Sequence, residues 1–362
     1  MPTIFERLSA LCALDAVSGQ EQPVVAYLKR ALAGVADELF VDAVGNLHAV
    51  RRGPLPGPTV LVAAHTDEIG LMVKAVEPDG FLRFDKVGGG VLDNLLAARE
   101  VRVRGHLGVI GMRAGHFQSA EDRGRVAPPS SLYIDVGARS AEAVAAMGIA
   151  VGDPIAFHGD LIAFGHDAPL VVGKAIDDRL GCAVAWALLE AGAPPAGTLV
   201  VAFTSQEEVG LKGAGVAGER WKPDLAIAVD TMPSGDTPDM SLTRDLNVRI
   251  GAGPALQVLA GQGGRGFLVH PAVARYLRQV AAEVAVPLQV TTFTGGNNDA
   301  AAIAWSGTGV PAASLCLPRR YAHSPTEVAD LRDADATLKL LEALVARMDD
   351  LPGFGFLDGF DA

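Results

Sequence analysis

Apolar residues fall at helical spacing over residues 20–33, where Val24, Val25, Tyr27, Leu28 and Leu32 share one face, and a similar pattern covers residues 3–15. Strand-like segments follow at 38–44 and 47–51. The next, Thr-Val-Leu-Val-Ala-Ala at 59–64, is apolar on both faces, as in a central strand covered by helices on either side. From about residue 70 to 164 the rhythm shortens. Strand candidates recur at 71–76, 81–84, 100–104, 108–112, 132–136 and 154–158, separated by Gly and Pro, with one helical pattern at 141–147. Such spacing predicts a small β-rich barrel or sandwich. Beyond residue 171 helices are predicted at 178–191, 270–284, 299–305 and 333–348. Strands alternate with them at 198–204, 224–229, 288–293 and 312–317. The predicted fold class is α/β: a mostly parallel sheet flanked by helices, interrupted by a β-rich insertion.

The chain has 362 residues, too many for one ordinary core. The pattern divides it into an α/β unit of residues 1–69 and 165–362 and an insertion of residues 70–164. The mean hydropathy of +0.28 comes mostly from Ala, Val and Leu, and no apolar run is long enough to span a bilayer. The N-terminal segment carries Glu6 and Arg7 within its helical pattern and does not read as a secretory signal. Cys12, Cys182 and Cys316 are isolated and odd in number, which argues against a disulfide framework and fits a reducing cytoplasm. A net charge of −12 without a basic cluster argues against nucleic acid as a partner. A soluble cytoplasmic protein is expected, with neither nucleic acid nor membrane among its partners.

The chemistry lies where the apolar strands stop. The 59–64 run leads into His65, Asp67 and Glu68; the 198–204 run into Glu207 and Glu208; the 224–229 run into Asp230; the 312–317 run into His323. In open α/β sheets ligands gather beyond the carboxyl ends of the strands. A fifth element, Gly-Lys-Ala-Ile-Asp-Asp-Arg, places Asp177 and Asp178 just before a helix. Imidazoles with carboxylates are the donor set for Zn²⁺, Co²⁺ or Mn²⁺. Each piece alone has a plainer reading. A lone His after a strand is usually structural, Asp177 and Asp178 could cap a helix, and Asp230 could open a turn with Pro233 and Gly235. Five such coincidences in a chain with eight His favour the metal. His48, His106, His158 and His270 have no such context and read as structural, while His116 and His166 stay open.

Five ordered blocks then carry a resemblance: "AAHTDEIGLMV", "VGKAIDDRLGCAVAWALLE", "FTSQEEVGLKGA", "AVDTMPSGDTPD" and "LPRRYAHSPTEVADLRD". They resemble the signature blocks of the M42 metallo-aminopeptidases, the TET-type enzymes, some of which were labelled endoglucanases. "SLYIDVGARSAEA" in the insertion and "RIGAGPALQV" further on extend the match along nearly the whole chain. The resemblance implies a zinc-exopeptidase-like fold with two divalent metal ions, zinc or cobalt, manganese being a further candidate. It implies that His65 and Asp230 hold one ion, Glu208 and His323 the other, and that Asp177 bridges them. Glu207 would be the general base and Asp67 would orient His65, with a cis bond between Asp177 and Asp178. The expected activity is removal of N-terminal residues from short peptides. The expected assembly is a homodimer through a PDZ-like or barrel insertion at 70–164, building a homododecamer.

A deacylase or dipeptidase acting on N-acylated amino acids would use the same metals and is the nearest alternative. Glycoside hydrolysis needs neither His65 nor His323, and a peptide-binding scaffold has no use for Glu207. For the substrate amino group, Asp178, Glu68 and Asp236 are candidates in that order. Two segments depart from the family pattern, Gly-Gly-Asn-Asn-Asp-Ala ending at Ala300 and Val-Gly-Gly-Gly-Val-Leu-Asp ending at Asp93. Both are expected near the substrate pocket.

Overall fold

The structure is a computed structural model and describes residues 1–261 and 266–358. Strands β1 (Glu38–Val41), β2 (Leu47–Arg52) and β3 (Leu55–His65) precede the insertion. Within it lie β4 (Gly70–Val76), β5 (Leu82–Val87), β6 (Glu100–Val103), β7 (His106–Gly111), β8 (Tyr133–Asp135) and β9 (Pro154–Phe157). After it come β10 (Ile162–Ala163), β11 (Leu170–Gly173), β12 (Ala196–Thr204), β13 (Leu225–Pro233) and β14 (Ala255–Leu259). The last three are β15 (Gln289–Thr292), β16 (Ala312–Arg320) and β17 (Glu327–Asp330). Helices α1 (Ile4–Cys12) and α2 (Gln22–Ala31) open the chain, and α3 (Ala120–Arg123) and α4 (Ala141–Ala146) belong to the insertion. Helices α5 (Ile176–Ala191), α6 (Lys212–Trp221), α7 (Pro271–Glu283), α8 (Asp299–Ala304) and α9 (Leu331–Val345) follow.

The main sheet runs β1-β2-β12-β3-β13-β16-β17-β11-β10, with β14 and β15 joined to β16. Its four central strands, β12, β3, β13 and β16, are parallel, as the strand–helix alternation predicts. Antiparallel strands extend them on both sides, so the complete sheet is mixed. The centre is parallel because it is covered on both faces: Val60 to Ala64 and Leu199 to Phe203 are all buried. Helices α1, α5 and α9 pack on one another, and α5 lies against β3 and β13. A second group, α6 and α8, packs against β12, β13 and β16.

The insertion is a closed antiparallel barrel, β4-β5-β8-β7-β6-β9. It has its own core, in which Leu71, Val73, Leu82, Phe84, Val101, Ile110, Ile134 and Ile155 are buried. The chain returns to the main sheet at β10, which pairs with β11. Among the described residues no helix is long and apolar enough to cross a membrane.

Helix α6 and strands β10, β11, β14 and β17 were not foreseen. In α6 the cause is glycine, which lowers helix propensity by about 1 kcal/mol relative to Ala. Packing requires it: a Cβ at Gly213 would lie 2.1 Å from Asn46 Oδ1, and one at Gly218 2.4 Å from Ser306 Oγ. Strand β17, Glu-Val-Ala-Asp, is four residues long and buried throughout despite its charged ends. Only tertiary pairing with β16 and β11 makes it a strand.

Candidate metal centre

The parallel register brings the site together. Thr204 at the end of β12 pairs with His65 at the end of β3, and Asp230 on β13 pairs with Cys316 on β16. Glu207 and Glu208 follow β12, and His323 follows β16 by three residues. Asp177 enters at the start of α5, whose first turn is interrupted by non-helical φ and ψ at Asp177 and Asp178; the bond between them is cis. Three of the supporting loops hold a non-glycine residue in the left-handed region: Ala175 (φ 54°), Gln206 (φ 56°) and His323 (φ 53°). Such conformations persist where the surroundings over-determine them, and they cluster at functional sites.

Asp177 is the hub. Its Oδ1 lies 3.1 Å from His65 Nε2 and its Oδ2 lies 3.3 Å from His323 Nε2, so its two oxygens serve the two imidazoles separately. His65 Nε2 is also 3.8 Å from Asp230 Oδ1, and His323 Nε2 is 3.7 Å from Glu208 Oε2. His65, Asp177 and Glu208 each place a ligand atom within 4.8 Å of the others, as do His65, Asp178 and Asp230. Asp178 is less free to ligate. Its Oδ1 accepts the Gly181 N–H at 3.0 Å and its Oδ2 the His65 N–H at 3.3 Å.

A divalent cation fits the electrostatics. Asp177, Asp178, Glu207 and Asp230 are buried, and only 4% of the Glu208 side chain is exposed. Burial and repulsion from neighbouring carboxylates raise most of this group. Glu208 is pushed up to about 8 by burial and by Asp177, and Asp230 to about 8 by burial and again by Asp177. Burial also holds Glu207 well above the usual carboxylate range. Asp177 is the exception: burial raises it, but the Arg319 guanidinium and the bonds from both histidines hold it well below. Glu208 Oε1 is buried with no hydrogen-bond partner, an expensive state for a carboxylate oxygen unless a cation completes it. Donor types, spacing and the orphaned oxygen all fit a divalent metal cation.

Asp67 does more than orient an imidazole. Its Oδ1 lies 3.5 Å from His65 Nδ1, and His65 Nδ1 also lies 3.2 Å from the Asp67 carbonyl oxygen. The same carboxylate accepts the N–H groups of Glu207 (2.9 Å) and Glu208 (3.1 Å) and the Ser18 hydroxyl (2.6 Å). One buried group thus fixes the histidine and the turn bearing both glutamates.

Sequence reasoning missed three residues. Arg319 is buried and bonded to Asp177 Oδ2, to Glu327 Oε1 (2.5 Å) and to Thr231 Oγ1 (2.5 Å). Glu327 accepts the N–H groups of Asp177 and His323, each at 3.0 Å. Asp299 lies buried behind the site, bonded to Thr204 Oγ1 at 2.5 Å. Glu327 and Asp299 lie outside the proposed ligand set; both fall in segments singled out above, but nothing local to either gives it a role. Arg319 had a signal, two cations directly after a buried strand. The three carboxylates considered for the substrate amine are engaged elsewhere. Glu68 meets Lys174 Nζ at 3.0 Å, Asp236 meets Arg320 at 2.7 Å, and Asp178 holds backbone amides. His48 bonds Asp42 and Trp221, His106 the Met147 carbonyl, His158 Arg102, and His270 caps α7. His116 and His166 are exposed, the latter bonded to Asp167.

A mixed α/β sheet whose strand ends gather histidines and carboxylates in one buried cluster is the layout of a metal-dependent hydrolase. The comparisons identify which. The M42 glutamyl aminopeptidase family matches residues 45–340. The lysyl aminopeptidase of Pyrococcus furiosus is 34% identical over 329 residues, covering 88% of this chain and 89% of its own. The aminopeptidase APDkam598 from Desulfurococcus kamchatkensis superposes with a TM-score of 0.90 at 35% identity, over 99% of this chain and 98% of its own. The TET1 peptidase of Pyrococcus horikoshii, which can assemble into a tetrahedron or a large octahedral shell, gives 0.82 at 30% identity, over 95% and 99%. The chain belongs to the M42 peptidase family, a family of metal-dependent hydrolases, and is an aminopeptidase.

Proposed function

We propose that the protein removes N-terminal residues from short peptides with two divalent cations, held as a pair by Asp177. The observation that carries this is the division of the Asp177 oxygens between His65 and His323, beside the unpartnered Oε1 of Glu208. His65 and Asp230 would hold one cation, Glu208 and His323 the other. When bound, the cations supply Lewis acidity toward the scissile carbonyl and the attacking water; zinc and cobalt suit the donors, and manganese is a further candidate.

Glu207 performs the proton work. It lines the cavity together with His65 and Asp230, and its backbone N–H donates to Asp67. It takes a proton from the attacking water as the carbon–oxygen bond forms, then returns it to the amine nitrogen as the carbon–nitrogen bond breaks. Asp67 holds His65 and the Glu207–Glu208 turn in place. Arg319 and Glu327 hold Asp177 from behind.

Residues 1–69 and 165–362 form the catalytic unit and residues 70–164 the dimerisation unit. Leu71 and Val73 fill the barrel interior, but Leu107, Val109, Met112, Phe117 and Val126 are exposed, apolar surface that suits a second chain. The homodimer builds toward a homododecamer. Three buried free cysteines fit the cytoplasm.

The test is an assay of chelator-stripped protein on unblocked di- and tripeptides and on the same peptides N-acetylated. Zn²⁺, Co²⁺ or Mn²⁺ is then restored. Release of N-terminal residues from the unblocked peptides alone, lost on stripping and regained with metal, is expected. Metal-independent turnover, or turnover confined to acylated substrates, overturns the reading.

A further inference from the structure

A cavity of about 720 Å³ opens from the metal cluster. Both segments that depart from the family pattern contribute to its wall, through Gly89, Gly90 and Leu92 on one side and residues 295–298 on the other. Met232 stands two residues beyond Asp230 on β13, so its side chain projects to the same face as that ligand. Leu211 and Phe293 add further apolar wall.

The amides of Gln257 and Asn298 in this wall are already engaged. Gln257 Oε1 accepts from Asn298 Nδ2 at 3.0 Å, and Gln257 Nε2 donates to the Phe293 carbonyl at 3.0 Å. Asn298 Oδ1 accepts the Ala300 N–H at 3.2 Å. Apart from the metal-site residues and Glu207, Arg319 is the only charged residue lining the cavity, among the described residues. Its guanidinium is held by Asp177, Glu327 and Thr231. Among the described residues, neither a free acid nor a free base is left to meet a substrate side chain. A charged side chain placed there would lose its hydration without gaining a counter-ion, whereas an apolar one would lose nothing polar.

We infer that the enzyme selects peptides whose N-terminal side chain is uncharged and apolar, of the leucine or methionine class, with Met232 and Phe293 as specificity-determining contacts. This rests on the aminopeptidase reading and narrows its substrate. It sets the chain apart from a relative named for lysyl substrates and a family named for glutamyl ones.

The experiment is a panel of leucyl, methionyl, lysyl, arginyl and glutamyl p-nitroanilides with metal-loaded enzyme, read as kcat/KM. Leucyl and methionyl values at least tenfold above the charged three are expected. A lysyl, arginyl or glutamyl value equal to or above the leucyl one overturns this inference and leaves the aminopeptidase reading standing. Hydrolysis of no member overturns both. In Met232→Glu, with metal content checked against the wild type, the lysyl-to-leucyl ratio of kcat/KM is expected to rise at least tenfold. An unmoved ratio in folded, metal-loaded variant removes Met232 from the side-chain subsite. The wild-type panel decides the charge selectivity should that variant not fold.

Discussion

Replacing Asp67 with Asn removes one charge and one acceptor from a point where four groups meet. The carboxylate is fully buried and accepts from Ser18, Glu207 and Glu208 at 2.6, 2.9 and 3.1 Å, with His65 Nδ1 at 3.5 Å. An amide has one oxygen. With nitrogen at the Oδ1 position it confronts the Glu207 N–H, and at the Oδ2 position the Glu208 N–H. Either way one charge-assisted bond of about 1.5–3 kcal/mol is lost, and a buried donor left unmet adds about 1–3 kcal/mol. Removing a buried charge offsets part of this, leaving a net loss of about 2–4 kcal/mol. For a chain of this length, with an unfolding entropy near 2 cal/mol/K per residue, the Tm falls by about 3–5 °C. Turnover falls further, because a shift of about 1 Å in a catalytic group costs roughly 10²-fold. Calorimetry of the metal-free protein and steady-state kinetics of the loaded protein measure the two effects. A Tm within about 1 °C of wild type together with unchanged kcat would refute the claim that Asp67 holds the glutamate turn.

The adjacent glutamates separate by assay. Glu207→Gln is expected to keep both metals and lose roughly 10²–10⁴ in kcat, while Glu208→Gln loses metal; elemental analysis showing the reverse would exchange their roles. Asp177→Asn is expected to lower occupancy at both positions together, and loss at one alone would end the bridging assignment. Gly90→Ala places a methyl 2.1 Å from His323 Nδ1 at a φ of +79° and is expected to weaken the cation held by Glu208 and His323, with retained stoichiometry as the contrary result. Light scattering on metal-loaded protein should give a dimer or a multiple of it up to the dodecamer, and a monomer persisting at micromolar concentration would count against the barrel as an interface.

How far the sequence discloses the site depends on where each residue sits. His65, Glu207, Glu208, Asp230 and His323 are legible because each follows an apolar run at or within a few residues of its end, and parallel strands bring those ends to one side, although β13 itself continues past Asp230 to Pro233. Glu327 is not legible: it starts a four-residue strand that exists only through pairing with β16 and β11. Arg319 was visible as a cation, but its partner Asp177 lies 142 residues away in sequence. The substrate-amine candidates pose a related difficulty. An acidic residue near a motif is informative only when its partners are known, and Glu68, Asp178 and Asp236 already have theirs. Apolar stretches in the insertion posed the same problem. Leu71 and Val73 point into the barrel while Val109 faces outward, a distinction set by strand register, and Met112 is exposed just past the end of β7.

The barrel and the metal centre are structurally one problem. The insertion leaves the main sheet within five residues of His65, and its glycine-rich segment after β5 comes back to the site. There the Gly89 N–H donates to the Glu208 carbonyl at 3.0 Å, and Gly90 packs so closely on His323 that any side chain would displace the ring. Gly88 meets Ile69 in the same way, with a Cβ only 2.9 Å from its Cγ2. Three successive glycines therefore let barrel backbone approach both residues proposed to hold one cation, Glu208 and His323. A rotation of the barrel against the sheet would strain the Gly89 bond and the His323 contact before it reached His65 or Asp230. Of the two cations proposed above, the one assigned to Glu208 and His323 is therefore the one that the seating of the barrel reaches first.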